Sequence, residues 1–141
     1  MLVRLMYASR AVQALDQDAL NAILRRSKAE NPALGITGVL CCSEGIFLQV
    51  LEGGRSAVNR MYNRIVADPR HTDVELLSYE EISERRFAGW SMGQVNMARL
   101  NPALLLKYSE RATLDPYAVS GKVSLALFEE MMATAAIVGQ P

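Results

Sequence analysis

Apolar positions change their rhythm several times along the chain, and each change marks an element. Residues 2–9, Leu-Val-Arg-Leu-Met-Tyr-Ala-Ser, are an apolar run too brief for a self-standing helix and ending in small polar residues, which predicts a first strand. Leu15, Ala19, Ile23 and Leu24 then recur at helical spacing around Asp16. Arg25, Arg26 and Lys28 fall late in that helix, where cations suit its dipole, and Asn31-Pro32 is expected to close it. Gly35-Ile-Thr-Gly38 leads into Val39–Ser43, a Glu44-Gly45 turn and Ile46–Glu52. This is the pattern of a β-hairpin, and both arms are apolar on both faces, so it belongs in the middle of a covered sheet. Gly53-Gly54 is expected to break the strand. Val58, Met61, Tyr62, Ile65 and Val66 mark a second amphipathic helix ending near Asp68-Pro69, with Arg55, Asn59, Arg60 and Asn63 on its polar side. Val74–Ile82 and Ser91–Asn96 are two further extended segments.

The order β-α-β-β-α-β-β predicts an α+β fold, a ferredoxin-like βαββαββ sandwich with both helices on one sheet face. That leaves the other face bare. Leu104–Leu106 and then Val119–Ile137, where Val123, Leu127, Met131 and Met132 form an apolar stripe, supply C-terminal helices to cover it. No Pro/Gly/Ser-rich linker splits the 141 residues, so one compact core is expected, with residues 1–97 as its principal unit and 98–141 as a helical cap.

Charge narrows the partners. Fifteen basic and fifteen acidic side chains give a formal net charge of zero, without the basic surface that a phosphate backbone demands. Nucleic acid is not an expected partner. The two cysteines, Cys41 and Cys42, are neighbours in a strand, where successive side chains point to opposite faces and do not bridge. They read as reduced thiols. The first residues lack a long apolar leader with a cleavage site, and no run approaches the roughly 18 apolar residues of a membrane span, so no membrane contact and a cytoplasmic location are expected.

The usual enzyme constellations are missing. The single histidine, His71, reads as lying in a loop after a helix. There is no cysteine–histidine metal spacing, no nucleotide phosphate loop and no serine hydrolase elbow. Gly35, Gly38, Gly45 and Gly53-Gly54 read as turns. Two polar residues inside apolar strands are more informative. Val3, Leu5 and Tyr7 share one strand face and Phe47, Gln49 and Leu51 share another, so Tyr7 and Gln49 point toward the two helices if those faces are covered. A buried glutamine must satisfy an acceptor and two donor hydrogens, at about 1–3 kcal/mol for each group left unpaired. Either Tyr7 and Gln49 bond each other or a backbone edge, or something polar sits beside them.

Five segments together resemble one family. Arg4-Leu-Met-Tyr-Ala-Ser9, Asn31-Pro-x-x-Gly-Ile-Thr-Gly38, Phe47-Leu-Gln-Val-Leu-Glu-Gly53, Arg64-Ile-Val-x-Asp-x-Arg-His71 and Arg86-Phe-x-x-Trp-Ser-Met92 occur in the order and at the spacings of the BLUF family of blue-light-using flavin sensors. The resemblance covers about residues 1–97, while the C-terminal helices match only in general character.

The resemblance implies a non-covalent flavin, normally FAD with FMN or riboflavin as alternatives, held between the two helices with Ile23 and Ile65 on its two sides. Asn31, Arg64, Asp68 and Arg70 match the positions that meet the polar edge of the flavin, and Ser27, Phe47 and His71 join them as cofactor-binding candidates. Glu30 falls where family members vary. Read without the family, Arg64 and Asp68 are an ordinary i,i+4 pair on an exposed helix. The resemblance further implies that Tyr7 gives an electron and a proton on blue-light excitation, that Gln49 relays the proton, and that rotation or tautomerisation of its amide leaves a rearranged hydrogen-bond network and a small red shift. Trp90 and Met92 match an alternating pair, of which the member near Gln49 carries the signal to the fifth strand and the C-terminal helices. Plain core packing accounts for Trp90 equally well, and Met92 is the stronger candidate of the two. On this reading the chain turns over no substrate and signals to a separate downstream protein as a homo-oligomer, contacts that seven methionines and an apolar C-terminal stripe would suit. A flavin-dependent oxidoreductase would need a nicotinamide or substrate site beside the flavin. A cofactor-free ferredoxin-like binding module would make Tyr7 and Gln49 structural accidents.

Overall fold

In the computed structural model, which describes residues 1–14, 16–134 and 136–138, β1 (Leu2–Ala11) is followed by α1 (Gln17–Leu34) and the hairpin β2 (Thr37–Ser43) and β3 (Ile46–Gly54). Then come α2 (Arg55–Val66), β4 (His71–Ile82), β5 (Gly93–Val95), a single 3₁₀ turn, α3 (Pro102–Tyr108), α4 (Gly121–Ala133) and β6 (Ile137–Val138). The strands form one sheet in the order β4-β1-β3-β2-β5-β6. The hairpin lies centrally, as its two-sided apolar pattern requires. Its turn uses positive φ at both Glu44 (51°) and Gly45 (78°), the geometry that matches the twist of a tight hairpin.

Strand alternation sorts the core into two layers. Val3, Leu5, Tyr7, Leu40, Phe47 and Leu51 pack against Leu20 and Leu24 of α1 and Val58 of α2. Met6, Val39, Cys41, Leu48 and Val50 face the opposite way, toward Leu105 of α3 and Leu127, Phe128 and Met131 of α4. The ferredoxin-like sandwich with a helical cap is therefore the observed architecture. The buried face of α4 is Ser124, Leu127, Phe128 and Met131, one step around the helix from the expected stripe, with Val123 and Met132 at its margins.

Several boundaries differ from the sequence reading. Pro32 does not close α1, which continues to Leu34. A proline this near the C-terminus removes only its own N–H, and the carbonyl it deprives, that of exposed Lys28, can turn to water. The stop is Gly35, whose φ of 67° lets its N–H return to the carbonyl of Pro32 at 3.2 Å. Arg25, Arg26 and Lys28 consequently lie in mid-helix. Leu15 falls outside the described residues. Gly38 is a strand residue rather than a turn, paired with Leu51, and it is glycine because a Cβ there would stand 2.1 Å from the carbonyl oxygen of Val50. Gly53 and Gly54 continue β3 instead of breaking it, and β4 begins at His71, so that histidine is a strand residue. The fifth strand is only Gly93–Val95, and a sixth, β6, pairs antiparallel with it where a helix was expected to run on. No described helix is long and apolar enough to cross a membrane.

Candidate functional site

Below the two helices of the first layer, Tyr7 of β1 and Gln49 of β3 are direct cross-strand partners, both facing α1 and α2. The Tyr7 hydroxyl donates to Gln49 Oε1 at 2.5 Å, and Gln49 Nε2 donates to Met92 Sδ at 3.2 Å. This three-residue chain lies on the floor of a cavity of about 360 Å³, the size of a small-molecule site. Tyr7 and Gln49 are 4% and 7% exposed. Burial, reinforced by Tyr62 and Asp68, pushes the Tyr7 phenol well above its ordinary pKa, so it stays protonated.

The walls come from both helices. Ile23 and Ser27 of α1 face the cavity from one side and Ile65 and Arg64 of α2 from the other, while Phe47 and His71 close the end nearest Tyr7. His71 is fixed at both ring nitrogens. The Ile65 carbonyl accepts from Nε2, and Nδ1 is hydrogen-bonded with Ser9 Oγ at 2.9 Å. Its ring meets those of Tyr7 and Phe47 edge-on, each with centroids 6.4 Å apart.

The rim is charged and internally paired. Arg70 holds Asp68 with contacts of 2.5 to 3.0 Å, and this hydrogen bonding lowers the Asp68 carboxyl to about 2. Arg64 instead stands 3.8 Å from Glu30, which also meets Arg26 at 3.1 Å. The i,i+4 pairing of Arg64 with Asp68 is therefore not formed.

Asn31, at the end of α1, is 2% exposed. Its Nδ2 donates to the Ser91 carbonyl at 2.7 Å, while its Oδ1 is buried without a partner in the cavity wall. An orphaned buried acceptor costs about 1–3 kcal/mol unless a ligand donor meets it.

The nine cofactor-binding candidates line this one cavity together with Tyr7, Gln49 and Met92. Trp90 does not, for it packs in the opposite layer with Phe128 and Met131. Sequence reading did not single out Ala22, Arg26, Leu40, Leu51 or Met61, and Glu30 only as variable. Leu51 shares the Gln49 strand face, and Arg26 and Met61 sit three or four residues from named candidates, so periodicity could have found these three.

The family model for sensors of blue light using FAD, BLUF, matches residues 2–93. The chain belongs to the BLUF family. The photoactivated adenylate cyclase subunit beta of Euglena longa is 39% identical over 92 residues, which are 64% of this chain and 11% of that protein, and its counterpart from Euglena gracilis is 38% identical over 92 residues. The chain thus spans about a tenth of the length of these curated relatives. The photo-activated state of BlsA superposes with a TM-score of 0.83 at 29% identity, covering 100% of this chain and 99% of that one. BlrB, a BLUF protein, in its dark state gives 0.75 at 33% identity, covering 95% and 96%. The BLUF segment is a blue-light sensor of the kind that uses a flavin.

The site fits such a group on its own chemistry. Ile23 of α1 and Ile65 of α2 give the cavity apolar walls that suit an aromatic ring, and the free Asn31 Oδ1 is an acceptor for an imide N–H such as flavin carries. A tyrosine–glutamine pair lies beneath.

Proposed function

We propose that this chain is a blue-light photoreceptor whose response originates at Tyr7 and Gln49 and leaves through Met92. The observation that carries the reading is the buried chain from Tyr7 Oη through Gln49 to Met92 Sδ along the cavity floor. A bound flavin supplies blue-light absorption and, once excited, an electron acceptor. Tyr7, neutral and hydrogen-bonded, gives up an electron together with its phenolic proton, and both return to it when the cycle closes. Gln49 now shows its oxygen to Tyr7 and its nitrogen to Met92. Turning or tautomerising the amide reverses what each neighbour meets, and that rearranged network is the state that lasts.

Ile23 and Ile65 flank the ring, and Asn31, with Ser27, Arg64, Asp68, Arg70, Phe47 and His71 around it, orients the flavin's edges. FAD is the flavin we assign, with FMN or riboflavin as substitutes in the same slot. Residues 1–97 form the sensing unit and 98–141 the cap that receives the signal. The output is a change in a separate downstream protein or in self-association, and the free thiols Cys41 and Cys42 suit the cytoplasm. Purified protein is then yellow, and blue light moves its flavin bands slightly and reversibly to the red. A chain that stays colourless after incubation with FAD, FMN and riboflavin overturns the proposal.

A further inference from the structure

Arg4 and Glu52 are the buried charged residues among those described, and the photochemistry uses neither. Glu52 has no exposed surface and lies three residues along the same strand from Gln49, on the opposite face. Its Oε2 accepts from Arg4 Nε at 2.8 Å, directly across on β1, and Arg4 reaches on to Glu80 of β4 at 2.7 Å. Its Oε1 accepts from the backbone N–H groups of Phe87 at 2.7 Å and Arg86 at 3.1 Å. One carboxylate thus ties two strands to the start of the 83–92 connection.

That connection has no strand ladder to hold it. At its far end, Gly38 N–H donates to the Trp90 carbonyl at 3.0 Å, Asn31 to the Ser91 carbonyl, and Gln49 to Met92. At its near end Glu52 gathers the Arg86 and Phe87 N–H groups, and the Phe87 ring, fully buried, meets Phe128 of α4 edge-on at 6.2 Å. A carboxylate offers acceptors to several donors at once, whereas an amide offers one oxygen and turns a donor toward the others. A desolvated ion pair is costly to keep and costlier to break, so this anchor has one geometry or none.

We propose that Glu52 is a positioning residue that fixes where Trp90 and Met92 sit relative to Gln49, and thereby sets the lifetime of the light state. The second half rests on the photoreceptor reading above. The first does not.

The test is Glu52→Gln in the full chain with flavin bound, against Leu20→Ala, a core truncation in α1 in the opposite layer from Trp90 and outside the flavin cavity. Trp90 is the sole tryptophan, so its quenching by acrylamide reports the connection in darkness. Glu52→Gln is expected to keep flavin, to make Trp90 clearly more quenchable, and to change the dark-recovery rate about fivefold or more, the factor that roughly 1 kcal/mol confers. Leu20→Ala is expected to lower the melting temperature and leave quenching and recovery alone. Unchanged quenching and recovery in Glu52→Gln overturn the proposal. A light-inert wild type whose Glu52→Gln form still exposes Trp90 sinks the photoreceptor reading and supports the anchor. Should Glu52→Gln not fold, amide exchange in the unmodified chain decides. Arg86 and Phe87 are expected to exchange as slowly as β3, and fast exchange at both overturns the anchor.

Discussion

Met92 and Trp90 are two residues apart and lie on opposite faces of the sheet. Met92 stands 3.2 Å from Gln49 in the cavity, and Trp90 is buried beneath α4. In an extended strand two such residues would share a face. Here the backbone is bent until Gly93, where β5 begins, so a three-residue segment touches both cores. This segment therefore gives the proposed response at Met92 a path to the far side that needs no strand to slide.

Removing either end of the Tyr7–Gln49 bond should separate binding from response. Tyr7→Phe keeps the ring packed between Tyr62 and His71 but deletes the donor, and Gln49→Leu keeps the volume but deletes the amide. Each variant is expected to bind flavin and to show no reversible red shift under blue light. Difference spectroscopy checks it, and a normal shift in both would end the relay.

Met92→Leu changes less volume than chemistry. Gln49 Nε2 loses its sulfur acceptor, which leaves the Tyr7 bond to Oε1 alone to hold the present orientation of the amide. The expected outcome is retained flavin, a loss of about 1 kcal/mol in urea unfolding, and a smaller light-minus-dark difference. An undiminished difference would show that Met92 only fills space.

The parts of this site that follow strict alternation were readable in advance. Val3, Leu5 and Tyr7 announce one face of β1, and a tyrosine and a glutamine inside apolar strands stand out because burial obliges them to find partners. What was not readable depends on contacts between distant segments. Pro32 looks like a helix end until Gly35 is seen to supply the real cap. Two residues of β6 carry no periodicity at all. The bend at 90–92 is imposed by the bonds from Gly38 and Asn31, which no local pattern encodes. Rim charges pair by reach, so Arg64 finds Glu30 and leaves Asp68 to Arg70.

Asn31→Ala should reveal the orphaned acceptor. It removes both the tether on the Ser91 carbonyl and the unpartnered Oδ1 in the cavity wall. A lost buried bond of about 1–3 kcal/mol predicts flavin affinity weaker by roughly five- to 150-fold, measured by equilibrium titration of the flavin-free chain. Unaltered affinity would mean that Oδ1 meets no ligand donor.

Acid should loosen the rim in a defined window. The Arg70 hydrogen bonds hold Asp68 at about 2, below its ordinary 3.8. A carboxyl depressed by folding contributes stability that is complete above the unfolded value and drains away as pH falls through the folded one. The contribution is therefore present at neutral pH and lost between about pH 4 and pH 2. Water reaches this pair at the cavity mouth, which limits the effect to about 1 kcal/mol or less. Asp68→Asn is expected to be less stable than wild type at pH 6 and equal to it near pH 2, as urea midpoints taken across the range will report. A gap between the two proteins that stays constant from pH 6 to pH 2 would show that the Asp68–Arg70 pair does not form in solution.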